Sequence, residues 1–191
     1  MFDLDLTRGE RVELREMLDA REYRQNLQRK LIGDYHVPLV SFTMNIVGPV
    51  KVFPLAVRTY EEGLRLIRES CKAGDREIIN LKEVKQKTGY EALFSVKADP
   101  EDLKRMAVSL EDLPPLGRLF DIDIIQTDGT KVSRTDLKLP ERKCLLCGND
   151  AFLCSRSRTH TIAELLTKTG EIMQAYFDAT EKPAVHAGLK T

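Results

Sequence analysis

The stretch from Gly117 to Gly129, GRLFDIDIIQTDG, decides how this chain is expected to fold. Apolar leucine, phenylalanine and isoleucine residues run through it, and the Asp-Gly pair at its end is typical of a tight hairpin turn. The pattern predicts a strand over residues 119–127. Because alternate residues of a strand share a face, Asp121 and Asp123 are expected side by side, with backbones roughly 7 Å apart.

Two neighbouring carboxylates repel each other unless a positive charge lies between them. A divalent cation such as Mg²⁺ satisfies this arrangement, because it prefers carboxylate oxygens and bridges to phosphates. In the alternative interpretation, one aspartate lies at a solvated edge and the other pairs with Arg118 or a lysine. An isolated Asp-x-Asp motif leaves both interpretations open.

The length of 191 residues is enough for one domain with its own core, and a single domain over residues 1–191 is expected. The 42% hydrophobic and 31% charged residues are typical of a globular protein. Thirty Lys and Arg balance thirty Asp and Glu, so net charge indicates neither a nucleic acid nor a membrane as partner. Without a bilayer-length apolar run or a signal-peptide core, a cytoplasmic location with reduced cysteines is expected.

The pattern predicts elements in the order β-α-β-β-α-β between residues 39 and 127, followed by one hairpin strand near 131–135. This order is that of a ferredoxin-like α+β sandwich with a mostly antiparallel sheet. Long helices are predicted at both ends, over 8–31 and 161–180, and the tail after Pro183 is expected to fray. The predicted inner elements are strands at 39–47, 77–86, 91–98 and 119–127 and helices at 60–73 and 99–110.

The first predicted helix carries a polar row of Arg21, Arg24, Gln25 and Gln28, whose spacing places them on one face. A solvated surface is the default interpretation of such a row, and a face turned toward an anionic ligand is the sharper one. Lys51 lies on a Gly-Pro loop after the next predicted strand. Because glycine lets the backbone approach a ligand, Lys51 is a candidate phosphate contact, with an ordinary turn as the alternative.

Residues 136–160 are poor in apolar side chains and rich in cysteine and arginine. They contain the spacing C-x2-C-x6-C-x5-H, which is compatible with a structural Zn²⁺ site. The alternative is that the cysteines are simply buried. The four candidate ligands are Cys144, Cys147, Cys154 and His160.

The same segment could instead bind an anion, because arginine side chains match phosphate oxygens. Between Lys131 and His160 the sequence contains seven Lys or Arg residues and three Asp or Glu residues. The candidates for this anion site are Arg142, Lys143, Arg156, Arg158 and His160.

Together these motifs resemble the apo-citrate lyase phosphoribosyl-dephospho-CoA transferases, also called holo-[citrate lyase acyl-carrier protein] synthases. The resemblance covers nearly the whole chain from the first helix onward. Where a histidine is expected before Pro-Leu-Gly-Arg, this chain has Pro114, so no role for that histidine is carried over. The matching motifs are LVSFT at 39–43, GPxK at 48–51, PLGRLFDID at 115–123, and RxCLxC…A…CxRxxxH from 142 to 160.

The resemblance implies a nucleotidyltransferase. Such an enzyme attaches the prosthetic group from 2′-(5″-triphosphoribosyl)-3′-dephospho-CoA to a serine of the citrate lyase acyl carrier (gamma) subunit and releases pyrophosphate. It implies that Asp121 and Asp123 hold Mg²⁺ and act in catalysis with Arg118. The implied phosphate-binding residues are Lys51, Arg21, Arg24, Gln28, Arg142, Arg156, Arg158 and His160.

The base that deprotonates the serine could be a free carboxylate or His160. His160 cannot act as base and zinc ligand through the same nitrogen, so these two roles compete. A different class of function is a zinc-knuckle module that binds RNA or nucleotides through residues 131–160. The balanced charge and the lack of interleaved aromatic residues disfavour that alternative.

Overall fold

The structure, a computed structural model, describes residue 6 and residues 8–181, so the expectation for the tail after Pro183 lies outside the described residues. A short 3-10 turn (Leu116–Leu119) precedes the aspartate strand. The other elements are α1 (Leu14–Tyr35), β1 (Leu39–Met44), α2 (Pro54–Ala73), β2 (Glu77–Gln86), β3 (Gly89–Lys97), α3 (Pro100–Glu111), β4 (Phe120–Ile125), β5 (Lys131–Val132), α4 (Ala151–Ser157) and α5 (Ile162–Glu181).

The strands form one sheet in the spatial order β2-β3-β1-β4-β5. Each neighbouring pair is antiparallel. The predicted α+β class and antiparallel sheet are confirmed, as is the succession β-α-β-β-α-β from β1 to β4. The ferredoxin-like arrangement stays a prediction, which the spatial order of the first four strands supports.

One face of the sheet carries the main core. Val40 and Phe42 of β1 pack there with Ile122 and Ile124 of β4 and with buried side chains of α2, α3 and α5. Phe42 stacks on Tyr60 with 5.5 Å between ring centroids. A Cβ on Gly63 of α2 would lie 2.3 Å from Phe42 Cζ, so glycine allows this helix to pack closely on the ring.

Helix α1 covers the opposite face of the sheet, and this face is apolar at one end. Leu31 and Ile32 of α1 pack there against Leu39, Leu93 and Ile125 of three adjacent strands. Farther along the same face the sheet side chains are polar. The helix is therefore anchored at its C-terminal end, and its polar row lies over a polar part of the sheet.

The predicted start of α1 at residue 8 is wrong, since the helix begins at Leu14. Before it the chain pairs with the loop after β1, where the Val12 amide donates to the Pro49 carbonyl at 2.8 Å. This pairing holds the segment extended and removes it from the helix. Leu14 and Leu18 are consequently 76% and 53% exposed and do not extend the apolar stripe.

Other boundaries also differ from the prediction. Helix α2 begins at Pro54, six residues before the predicted position, because proline is favoured in the first turn of a helix. Strand β4 ends at Ile125 and the return strand is limited to Lys131–Val132, because the turn at residues 126–130 forms its own hydrogen bonds. No helix in the described part of the chain has the length and apolar character needed to cross a bilayer.

Candidate active site

Antiparallel register sets the aspartate pair against two hydroxyl side chains of β1. Asp121 lies opposite Thr43, and Asp123 lies opposite Ser41. Thr43 Oγ1 is 3.4 Å from Asp121 Oδ2, at the long limit of a hydrogen bond. The predicted alternation is confirmed, because Phe120, Ile122 and Ile124 are buried on the opposite face.

The polar row of α1 faces this aspartate pair. Gln28 Nε2 donates to Ser41 Oγ at 3.0 Å, and Arg24 Nη1 donates to Glu91 Oε1 at 2.9 Å. The predicted clustering of the row is therefore confirmed, and a recess of about 150 Å³ lies between helix and sheet. The residues that line it are Arg21, Arg24, Gln25, Gln28, Ser41, Thr43, Asp121, Asp123 and Lys131.

The two aspartates have different electrostatic surroundings. Asp123 Oδ2 is 2.5 Å from Lys131 Nζ, so this carboxylate has a direct cationic partner. Among the described residues, the cationic partner of Asp121 is more distant, with Asp121 Oδ1 3.8 Å from Arg142 Nη1. Partial burial and the neighbouring charge of Asp123 raise the pKa of Asp121 above the ordinary value for aspartate. The pairing of one aspartate with a lysine is thus present, as the alternative interpretation expected, and the binding of a divalent cation by Asp121 and Asp123 stays a prediction.

A second recess, of about 200 Å³, lies beside Asp121 and contains Lys51. Lys51 Nζ donates to the Ile46 carbonyl at 2.5 Å. Burial and the nearby Arg21 guanidinium lower the pKa of Lys51. Lys51 is thus a partly desolvated cation in a recess that Asp121 also lines, and its role as a phosphate contact stays a prediction.

Glu91 is a site residue that the sequence pattern did not single out. It lines the second recess together with Asp121, and burial raises its pKa although Arg24 opposes this effect. The Tyr60 hydroxyl donates to the main-chain carbonyl of Glu91 at 3.0 Å. The only signal in the sequence was a charged residue at the start of a predicted strand, which also suits an exposed edge.

Arg118 lies in the 3-10 turn before β4 and contacts the cysteine-rich segment. Its Nη2 donates to the Lys143 carbonyl at 2.5 Å. In return, Arg142 Nη2 donates to the carbonyls of Arg118 and Phe120, at 2.7 Å each. Burial and the charge of Arg142 lower the pKa of Arg118. The two guanidiniums form a cationic edge beside β4.

A buried carboxylate that the sequence analysis missed supports this edge. Glu111, at the end of α3, accepts from the Ile122 amide at 2.9 Å and from Arg134 Nη2 at 2.7 Å. Arg142 Nη1 is 3.9 Å from the same carboxylate. Glu111 therefore ties α3, β4 and the arginine-rich segment together.

The cysteine-histidine set comes together as the spacing predicted. One potential ligand atom from each of the four residues lies within 4.8 Å of the others. Cys147 Sγ is 3.5 Å from Cys154 Sγ and 3.3 Å from His160 Nε2. Hydrogen bonds from the Asn149 amide and from His160 lower the pKa of Cys147 to about 6. All three thiols are free, so the cluster offers the donor set of a Cys₃His zinc site.

A third and larger cavity, of about 740 Å³, lies between this cluster and the 3-10 turn that precedes β4. Arg118, Arg142, Arg158 and His160 line it. Arg156 lies exposed on α4 and is not among its lining residues, so its assignment as a phosphate ligand stays a prediction.

Comparison with known proteins agrees with these observations. The family model for apo-citrate lyase phosphoribosyl-dephospho-CoA transferase matches residues 12–176. A protein of Vibrio cholerae serotype O1 (strain M66-2), named a probable apo-citrate lyase phosphoribosyl-dephospho-CoA transferase, is 38% identical over 167 residues, or 86% of this chain and 93% of the relative. A protein of Escherichia coli O1:K1 / APEC, named an apo-citrate lyase phosphoribosyl-dephospho-CoA transferase, is 36% identical over 157 residues, or 82% of this chain and 86% of the relative. The chain therefore belongs to the apo-citrate lyase phosphoribosyl-dephospho-CoA transferase family.

Proposed function

We propose that this protein transfers the prosthetic group of 2′-(5″-triphosphoribosyl)-3′-dephospho-CoA to a serine of the citrate lyase acyl carrier subunit. The serine oxygen attacks the α-phosphorus of the triphosphate, the bond to the β-phosphate breaks, and pyrophosphate leaves. The observation that carries this proposal is the Asp121–Asp123 pair facing the cationic row of α1. The names of the relatives support the choice of donor and acceptor.

Such a displacement depends on positioning and charge neutralisation more than on covalent participation of the protein. Asp121 and Asp123 would hold Mg²⁺, which would neutralise phosphate oxygens when bound. Lys51, Arg21 and Arg24, which line the recesses together with Asp121, bind the phosphate chain. Gln28 holds Ser41 and orients the helix over the sheet.

The serine proton goes to a carboxylate in this proposal. His160 Nε2 points at Cys147, which supports the ligand role for this histidine over the role of base. Glu91 lies in the recess with Asp121, and burial raises its pKa, so we assign it as the proton acceptor while Asp121 would hold the metal.

We also propose that Cys144, Cys147, Cys154 and His160 bind one structural Zn²⁺. Three thiol sulfurs and one imidazole nitrogen converge, which is the number of ligands that a closed structural zinc site requires. The ion would hold the loop before α4 to the residues after it. That would fix the positions of Arg142, which precedes Cys144 in the chain, and of Arg158, which lies between Cys154 and His160.

Intact-mass spectrometry of the apo acyl carrier subunit tests the transferase. The subunit is incubated with this protein and triphosphoribosyl-dephospho-CoA, with and without Mg²⁺. We expect a mass gain equal to the donor minus pyrophosphate, with Mg²⁺ only. No gain on a competent carrier would contradict the proposal, and salt-dependent binding to generic RNA would then favour the zinc-knuckle alternative.

A further inference from the structure

The two recesses at the aspartate pair are too small for the whole donor. Their volumes are about 200 and 150 Å³, while pockets for molecules of drug size have roughly 300–1,000 Å³. They suit a phosphate chain. The adenosine, its diphosphate and the pantetheine arm of the donor require a further site.

The cavity of about 740 Å³ has the required size, and it adjoins the aspartate recess. Asn45 lines both this cavity and the recess that contains Asp121. Arg142 lines the cavity and also lies 3.8 Å from Asp121. A ligand with its triphosphate at Asp121 can therefore continue past Asn45 into the cavity.

The walls of the cavity match a long molecule with an anionic part and an uncharged arm. Arg118, Arg142, Lys143 and Arg158 supply four cationic side chains, and no carboxylate occurs among the described residues that line it. Burial and the charge of Arg142 disfavour the charged form of Arg118, and a bound anion would relieve this repulsion. The apolar part of the wall consists of Val47, Leu119, Leu145, Ala151, Ile162 and Leu165.

We propose that this cavity binds the dephospho-CoA portion of the donor, with the diphosphate against the arginines and the pantetheine arm along the apolar wall. The inference rests on the proposed function, since that function supplies the donor. It assigns a role to the segment between β5 and α5 that goes beyond structural support. The cysteine-histidine cluster, which contributes Cys144, Cys154 and His160 to the lining, would shape one wall.

Binding of dephospho-CoA, the donor without its triphosphoribosyl group, tests the proposal by calorimetry. Arg158→Gln removes a cation, and Leu165→Trp fills the apolar part. Each variant is expected to raise Kd at least about tenfold, the equivalent of one charge-assisted hydrogen bond. Ala163→Trp, at an exposed position of α5, is the matched control and is expected to stay within about twofold of wild type.

Further variants separate this cavity from the aspartate recess. Asp121→Asn is expected to abolish transfer but to leave Kd for dephospho-CoA within about twofold, because this probe lacks the triphosphate. Circular dichroism and thermal melts confirm that the variants are folded. ADP is expected to bind at least about tenfold more weakly than dephospho-CoA, because it lacks the pantetheine arm that covers the apolar wall.

Three results would overturn the proposal while leaving the transferase intact. The first is dephospho-CoA binding that is absent or that ignores Arg158→Gln and Leu165→Trp, in an enzyme that transfers. The second is ADP binding as tight as that of dephospho-CoA. The third is a cavity variant that raises KM for the carrier subunit alone, which would assign the cavity to carrier docking. A protein that neither binds the probe nor modifies the carrier would instead refute the proposed function.

Discussion

Arg142 Nη1 lies 3.8 Å from Asp121 Oδ1, while Nη2 of the same guanidinium donates to the carbonyls of Arg118 and Phe120 at 2.7 Å. Arg142 belongs to the cysteine-rich segment and Asp121 to the central sheet. One side chain therefore joins the two parts of the chain that the sequence presents as separate motifs.

Asp121→Asn and Asp123→Asn are each expected to lower the transfer rate at least about 100-fold, the usual scale for losing a group that stabilises developing charge. The Asp121 variant should keep its Tm at neutral pH or raise it. Because the pKa of folded Asp121 is raised, its ionisation costs stability as pH rises through that pKa. The stability that the Asp121 variant gains over wild type should therefore shrink at a pH below the ordinary aspartate pKa, where wild-type Asp121 is protonated in both the folded and the unfolded state. Wild-type rates at saturating Mg²⁺ in both variants would rule out the catalytic assignment.

Arg142→Lys is expected to lower kcat about 10- to 100-fold with little change in Tm. Lysine keeps the charge, but it cannot donate to two carbonyls and face Asp121 at once. Quenched-flow or mass-based rates measure the effect. Arg105→Lys, an exposed arginine on α3, is the matched control and should be indistinguishable from wild type.

Loss of Lys51 charge is expected to weaken donor binding at alkaline pH. Burial and Arg21 lower the pKa of Lys51, so the ammonium loses its proton at a lower pH than an exposed lysine does. KM for the donor should rise through that lowered pKa. Lys51→Arg should remove this alkaline rise, because arginine stays protonated. An unchanged profile in Lys51→Arg would show that another group titrates.

Purified protein is expected to contain one equivalent of zinc by elemental analysis. Cys147→Ser should lose the metal and lower Tm by roughly 5 °C or more, since metal binding stabilises the segment around α4. Cys71→Ala is the control for metal content, because Cys71 is buried in the core beside Met106 and lies outside the cluster. Full metal content in Cys147→Ser would contradict the ligand set.

Glu111→Ala is expected to destabilise the fold by about 2 kcal/mol, because it leaves the Ile122 amide without its acceptor and removes one of the two carboxylates that pair with Arg134, while Asp112 remains. Urea unfolding measures the change. Ser109→Ala, an exposed position on the same helix, should stay within about 0.5 kcal/mol of wild type. A small effect of Glu111→Ala would mean that water replaces the carboxylate.

Features with a local cause could be predicted from the sequence. Strand alternation predicts that Asp121 and Asp123 share a face, and helical spacing predicts the polar row of α1. The cap of α3 follows from Asp99, whose side chain accepts from the amides of residues 101 and 102. The zinc-ligand spacing predicts that its four members converge. In each case the decisive residues lie within a few turns or one loop of each other.

Tertiary structure decided which of these faces meet. Arg24 reaches Glu91 across 67 residues, and Arg134 reaches Glu111 across 23. No periodicity in the sequence encodes such partners, because they depend on strand register and on where α1 crosses the sheet. The same holds for the start of α1, which the pairing of Val12 with Pro49 sets. The chain by itself thus determined which side chains could do the chemistry, and long-range packing decided that they form one site.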